Sequence, residues 1–561
     1  MALGTILQEK GLLTKADLDR ASAESQSTGE RIDRVLVRLG LVRREDVLQA
    51  IGDQFHMPVV DLSSISVEPQ ILAALPSRLV YKQKCVPIAR NSGILTVATS
   101  DPYDISVLDE LKLLTGSSIE LALADEDELH KFIRANYGVG GDTLDAMSAG
   151  QTTTTAKAEP GSEDELEQAQ EASVVKLVND ILSEAISERA TDVHIEPYER
   201  ELVVRYRIDG VLQRANVPAT IHRFGSAVIS RLKIMSNLNI AEKRKPQDGR
   251  ISFKNRSTGR PMEEFDLRVS VIPMMFGEGV VLRVLSKAAV LMPLDELGMP
   301  QHVLGRWATL LHRPHGIMLV TGPTGSGKST TLYASLNKIV TDEIKVITVE
   351  DPVEYHVPGV NQIQVNHKVG LDFAAGLRSI LRHDPDVVMI GEIRDKETAE
   401  TAIQASLTGH LVFSTLHTND APGAMTRLLD MRVEPFLVSS SVEAVMAQRL
   451  VRRICRECGE AYVPEAAEMP IGLKLAPGQT LSRGKGCRAC RNTGFRGRVG
   501  VYELLTLTER VREMIMERTS APALAAQAMR ENSLCTLAED GYAKARAGLT
   551  TIEEVVGATT A

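Results

Sequence analysis

The sequence predicts a multidomain α/β protein: a C-terminal phosphate-binding α/β domain with a four-cysteine insert, preceded by an α+β domain and an N-terminal helical-repeat/α+β module. Three observations carry that reading. The apolar stretch Gly316-Ile-Met-Leu-Val-Thr runs as a strand into the loop GPTGSGKS (322–329), and TTLYASLNKIV follows with helical periodicity. From Leu294 onward, strand and helix patterns alternate regularly, as in a sheet covered by helices. Two CxxC pairs, Cys455/Cys458 and Cys487/Cys490, interrupt that alternation near its end. At 561 residues the chain has room for three or four domains, each with its own core.

The chain opens on two related segments. Leu3, Leu7, Gly11, Leu12, Leu18 and Ala21 recur 29 positions later as Ile32, Leu36, Gly40, Leu41, Val47 and Ala50. Each copy reads as helix, glycine break and helix, so two short amphipathic hairpins are expected to pack on each other. ILTVATSDP (94–102) reads as strand and turn, with helices near 104–114 and 126–136, and this first module, 1–137, ends at Tyr137. Residues 138–170 are rich in Gly, Thr, Ala and acid without an apolar period, and are expected to form a flexible linker. In the second domain, 171–290, residues 173–190 have helical spacing, DVHIEPYERELVVRYRIDG (192–210) alternates as two strands with a turn, and a further strand pair lies near 265–285. The third domain is 291–561, with its insert at 455–490.

The loop fits the phosphate-binding pattern GxxxxGK[ST] at Gly322, Gly327, Lys328 and Ser329, and the nucleotide-binding residues are expected to be Gly322, Pro323, Thr324, Gly325, Ser326, Gly327, Lys328, Ser329 and Thr330. Glycines let the backbone wrap phosphate oxygens with N–H groups pointing inward. Lys328 would meet the β- and γ-phosphates of ATP, and Ser329 would hold Mg²⁺. Three later strand patterns end in polar residues: Glu350, Asp351 and Glu354; Glu392 and Arg394; Thr415 and His417. Ligands of a parallel sheet bind outside the carboxyl ends of its strands, so these residues converge on the loop's edge. Glu350 and Glu392 are the candidates for water activation and metal-shell contacts; Asp386 precedes its strand and reads as structural. His417 either senses the γ-phosphate or is a hydrogen-bonded structural residue. Arg205, Arg207, Arg268 and Arg283 lie on strands of the second domain, either as solvated faces or as arginine fingers reaching the nucleotide.

Two CxxC pairs separated by residues 459–486 suit a tetrahedral Cys₄ zinc site, Cys455, Cys458, Cys487 and Cys490, better than two disulfides; a metal-free site and redox pairs are the alternatives. Cys85 and Cys535 stand alone and read as buried small hydrophobes. The net charge of −9 argues against a general nucleic-acid coat, and the basic run Arg449–Arg456 reads as structural or interfacial. No apolar run approaches the roughly 20 residues that span a bilayer, and the N-terminus lacks a signal peptide's apolar stretch. The expectation is a cytoplasmic protein, with any membrane role supplied by partners.

These motifs together resemble the secretion ATPases of the type II secretion and type IV pilus assembly class. The resemblance spans nearly the whole chain outside the linker: the phosphate loop, VEDPVEY (349–355), VVMIGEIRD (387–395), TGHLVFSTLHTNDA (408–421) and QRLVRRICRECG (448–459), with DVHIEP, RYRIDG and AEKRKPQDGR upstream. It implies a RecA-like ATPase domain, a PAS-like second domain whose Arg207 and Arg268 act on the nucleotide, and a structural zinc clamp. It further implies a homo-hexamer whose turnover pushes on an inner-membrane platform protein, with the N-terminal module docking other secretion components. Type II secretion is the leading reading and pilus extension the alternative; a nucleotide-regulated adaptor and a DNA-handling motor belong to other classes. A retraction motor is disfavoured by the long N-terminal module and the zinc insert. The repeats also resemble a module that binds cyclic di-GMP in some relatives, with a pattern opening RLG. Here the copies open Ala2-Leu3-Gly4 and Arg31-Ile32-Asp33, each departing from it, which disfavours that ligand.

Overall fold

The computed structural model describes residues 3–63, 65–91, 93–103, 106–150, 171–255, 263–286, 292–465, 469–470 and 479–559. The chain divides into two compact units, Met1–Val284 and Leu285–Ala561.

In the first unit the repeats form helices Leu3–Glu9, Lys15–Thr28, Ile32–Arg38 and Arg44–Phe55. Gly11 and Gly40 take φ of 69° and 66° at the breaks, a conformation that costs glycine nothing. The matched positions Leu7, Ala21, Leu36 and Ala50 are all fully buried in one cluster, as the internal repeat predicts. A three-stranded sheet follows, Cys85–Asn91, Ile94–Thr99 and Ser118–Leu123, with helices Ser106–Thr115 and Glu126–Tyr137. The Asp125 carboxylate accepts from the N–H groups of Asp127 and Glu128 and so starts the second helix.

Residues 138–150 differ from the expected linker. Gly141–Gly150 is a helix, and Val139, Leu144 and Met147 are buried with Val174 and Leu177 of helix Ala172–Ser187. Three apolar residues scattered among Gly, Asp and Ala suffice to dock one short helix, too few to register as a period. The Val139 N–H also donates to the Asn216 carbonyl at 2.7 Å. The rest of the expected linker, 151–170, lies outside the described residues.

A six-stranded sheet completes this unit in the order Val211–Arg214, Leu202–Ile208, Asp192–Pro197, Gly277–Ser286, Glu263–Met274, Gln247–Asn255. Phe265, Leu267, Val269 and Val271 are buried at every second position, which turns Arg268 to the opposite face.

The second unit is built on an eight-stranded sheet: Val360–Gln364, Val346–Glu350, Val387–Ile390, Leu411–Leu416, Gly316–Thr321, Val442–Ile454, Phe495–Thr506, Leu534–Cys535. The first six run parallel and the last two pair antiparallel. The central strands 316–321, 346–350, 387–390 and 411–416 are buried at every position, because helices cover both faces. Their carboxyl ends, and the loops that follow, share one edge.

Candidate nucleotide site and cysteine cluster

The phosphate loop joins strand Gly316–Thr321 to helix Lys328–Ile339. Gly322, Gly325 and Gly327 adopt φ of 145°, 80° and 90°. A Cβ on Gly322 would come within 2.5 Å of the Gln448 carbonyl oxygen, and one on Gly327 within 2.7 Å of Gln448 Nε2. Both glycines are therefore demanded by backbone conformation and by close approach to the neighbouring strand. Pro323, Thr324, Gly325 and Ser329 are exposed, and Thr330 is half-buried.

Lys328 Nζ donates to the carbonyls of Gly322 at 2.8 Å and Pro323 at 3.0 Å. Burial pushes this lysine down to about 8, opposed by Glu392 and reinforced by Arg449. A lysine curled into the loop on two neutral acceptors is poised for an anion. Ser326 Oγ is buried and has no hydrogen-bond partner among the described residues. A buried hydroxyl without a partner is rare, and inside a ring of glycines it is the donor that a phosphate oxygen would satisfy. The loop fits nucleotide phosphate.

The strand ends contribute two different carboxylates. Glu350 is 4% exposed; it accepts from the Tyr333 hydroxyl, from Thr348 Oγ1 at 2.5 Å and from Gln362 Nε2 at 3.1 Å. Glu392 pairs with Arg394 and lies 3.2 Å from His417 Nε2, close enough to Lys328 to act on its charge. His417 is half exposed, directly after strand Leu411–Leu416. Thr415 Oγ1 donates to the Gly391 carbonyl at 2.7 Å, which ties the Glu392 and His417 loops together. Asp386 accepts from the Lys345 N–H at 2.7 Å, a structural contact.

Sequence reasoning missed three residues here. Tyr333, on the helix behind the loop, reads as an ordinary apolar position. Gln448 and Arg449 are buried beside the loop, yet Arg449 is the first of a basic run that otherwise looks like surface. For Gln448 and Arg449 the one signal was that they directly continue the apolar run Ala444–Ala447.

The arginines belong to the first unit. Arg205 pairs with Glu196 at 2.5 Å; Arg207 and Arg283 share Asp192, at 3.8 and 3.3 Å. Arg268 lines a cavity of about 520 Å³ with Asp192, Asp248, Arg250 and Arg283. In the N-terminal module, Arg31 is held by Asp33 and Asp101, each at 3.0 Å, and stacks 4.2 Å over Tyr103.

The four cysteine sulfurs at 455, 458, 487 and 490 all lie within 4.8 Å of one another. The nearest pairs are 3.7–3.8 Å apart, the edge of a tetrahedron whose metal–sulfur bonds are about 2.3 Å. Against its burial, backbone N–H groups of Cys487 and Gly494 hold the Cys490 thiol down to about 7. This donor set can hold a metal ion. Cys85 is buried as expected, whereas Cys535 is half-buried, 3.3 Å from His302 Nε2.

The family described as Type II/IV secretion system protein matches residues 167–557, more than half of the chain. The chain belongs to that family. An MshEN domain matches residues 55–143. The type IV pilus assembly ATPase PilB of Myxococcus xanthus is 42% identical over 99% of this chain and 98% of its own length. The type II secretion system protein E of Xanthomonas campestris pv. campestris is 42% identical over 99% of this chain and 97% of its own. That of Dickeya dadantii is 50% identical over 72% of this chain and 80% of its own. Among solved structures, the Yersinia pseudotuberculosis ATPase DotB covers 72% of this chain and 96% of its own at a TM-score of 0.51 and 20% identity, a likeness of fold. With its phosphate loop intact, this member of the family is an ATPase. No helix among the described residues is long and apolar enough to cross a membrane.

Proposed function

We propose that the protein hydrolyses ATP to drive type II protein secretion, acting from the cytoplasmic face on an inner-membrane platform protein. One observation carries the hydrolytic part: a single sheet edge holds the curled Lys328, the unpartnered Ser326 hydroxyl and the Glu392–His417 pair. In this reading Lys328 meets the β- and γ-phosphates, Glu392 orients the attacking water, and His417 reports on the γ-phosphate. Glu350, saturated by neutral donors, keeps the neighbouring strand end and Tyr333 in place. Mg²⁺ held by Ser329 would neutralise charge on the phosphates. Arg207 and Arg268 supply positive charge from the second domain, within a homo-hexamer whose neighbours complete each site.

The segments that serve this scheme are a docking module at 1–137, the arginine-bearing domain at 171–290 and the ATPase domain at 291–561. Zn²⁺ on the four cysteines is structural, because four thiolates leave no open coordination position. Cyclic di-GMP remains disfavoured: Arg31, which that ligand would need, is taken by two aspartates and an aromatic ring.

Phosphate release tests the motor. Lys328→Ala is expected to reduce it to background while the melting profile survives; an unchanged rate ends the reading. Pilus extension is the second reading, favoured by the Myxococcus relative that matches from end to end. Expression in strains lacking one or the other ATPase separates the two, through restored secretion or restored pili.

A further inference from the structure

Beyond its electrostatic effect on Lys328, Arg449 has no part in the scheme above, yet it occupies a costly position. It lies within strand Val442–Ile454, beside the phosphate-loop strand, and is 6% exposed. Among the described residues no carboxylate pairs with it. Its guanidinium spends its donors on neutral oxygens: Nη1 on the Gln448 carbonyl at 3.1 Å, Nη2 on the Asn419 carbonyl at 2.8 Å and Asn419 Oδ1 at 3.4 Å. Burial lowers its pKa, with Glu503 and Asp420 opposing from a distance. A buried cation without an ion-pair partner is unfavourable, and hydrogen bonds to neutral oxygens offset only part of that cost.

What they hold is identifiable. Asn419 lies two residues after His417, on the loop that faces Glu392. Between them, the Thr418 N–H donates to Thr321 Oγ1 at 2.9 Å, and the two threonine hydroxyls are 2.7 Å apart. Thr321 is the last residue before the phosphate loop. A Cβ on Gly322, the loop's first residue, would sit 3.1 Å from Arg449 Nη1. The residue before Arg449 faces the other way along the strand: Gln448 Oε1 accepts from Thr331 Oγ1 at 2.7 Å, and its Nε2 crowds Gly327. The Gln448–Arg449 pair therefore touches the loop at both ends, and of these two residues Arg449 extends the contact to Asn419, beyond the Thr321–Thr418 bonds.

We propose that Arg449 is a positioning residue for hydrolysis: it clamps the His417–Asn419 loop against the start of the phosphate loop, so that His417 stays beside Glu392 when the nucleotide site is filled. The proposal rests on the reading that His417 and Glu392 act at the γ-phosphate.

A double-mutant cycle on the full chain tests it, with kcat from phosphate release, affinity from a fluorescent ADP analogue, and thermal melting. Arg449→Met keeps the buried stem and removes the donors; kcat is expected to fall about tenfold while ADP affinity stays within about threefold. In a His417→Ala background the same change is expected to cost less than about twofold, because the group it positions is gone. Independent, multiplying effects overturn the clamp, as does an unchanged kcat or an ADP affinity that falls in step with kcat. If Arg449→Met does not fold, Arg449→Lys serves: its ammonium can keep the Asn419 carbonyl alone, and a kcat between the two extremes is expected, whereas a wild-type kcat overturns the clamp. An inert His417→Ala instead removes the reading on which the clamp stands, so the two failures are told apart by that single variant.

Discussion

Glu350 and Glu392 stand at the ends of adjacent parallel strands, on the same edge of the sheet, yet their surroundings are opposite. Glu350 is buried and receives three donors, the Tyr333 and Thr348 hydroxyls and the Gln362 amide, all of them neutral. Burial, and then Glu350 itself, push the Tyr333 phenol far above its ordinary range, so this proton stays on the tyrosine. Glu392 is partnered by a guanidinium and an imidazole and feels Lys328. A carboxylate wrapped in buried neutral donors is fixed in place; one between half-exposed side chains that can swing away can turn toward a water or a proton. We therefore assign the water-handling role to Glu392 and an orienting role to Glu350, although the sequence offered both for the same work.

The largest expected effect separates them directly. Glu392→Gln should lower kcat by about 10²-fold or more, in the range of a lost general base, while the melting temperature and ADP affinity hold. Glu350→Gln should do the reverse. An amide nitrogen would replace one of the two acceptor oxygens and stand opposite at least one of the three donors, so we expect a loss of about 1–3 kcal/mol in denaturant unfolding and a smaller fall in turnover per folded molecule. A Glu350→Gln protein that melts normally and does not turn over would exchange the two assignments.

The same contrast marks what was legible in the sequence. The phosphate loop, the cysteine pairs and the polar strand ends are local patterns, carried by consecutive residues, and could be placed on one edge by the rule for parallel sheets alone. What distinguishes Glu350 from Glu392 is not local. It requires Tyr333 from the preceding helix and Gln362 from the next strand, and neither spacing has a period. Arg449 was hidden for a related reason: in a run with Arg452, Arg453 and Arg456 it looks solvated, and only its place in a strand buried on both faces makes it internal. The helix Gly141–Gly150 escaped because tertiary contacts, rather than its own composition, stabilise it. The N-terminal repeats were readable because duplication supplied a second copy of central core positions, Leu7 with Leu36 and Ala21 with Ala50.

The smallest effect is the sharpest probe of the two carboxylates. Lys328 is held down to about 8 chiefly by burial, and Glu392, not Glu350, is the carboxylate that opposes the shift. Below about pH 8 the free protein already carries this charge, so ADP affinity should be flat there. Above it, the lysine must take up a proton before it can meet a phosphate, and affinity should fall with rising pH, by at most tenfold per unit. Stability of the nucleotide-free protein runs the other way: the unfolded lysine holds its proton to about pH 10.4, so between these two values the unfolded chain binds more protons and folding gains as pH rises. Glu392→Gln removes the carboxylate that keeps Lys328 charged, and the break in the ADP-affinity profile should move to lower pH by less than about one unit. Glu350→Gln should leave the break in place, because its carboxylate is spent on neutral donors away from the lysine. Titration of ADP binding between about pH 6.5 and 9.5 reads all three proteins, and a break that moves equally in both variants would show that the two strand ends are electrostatically one site.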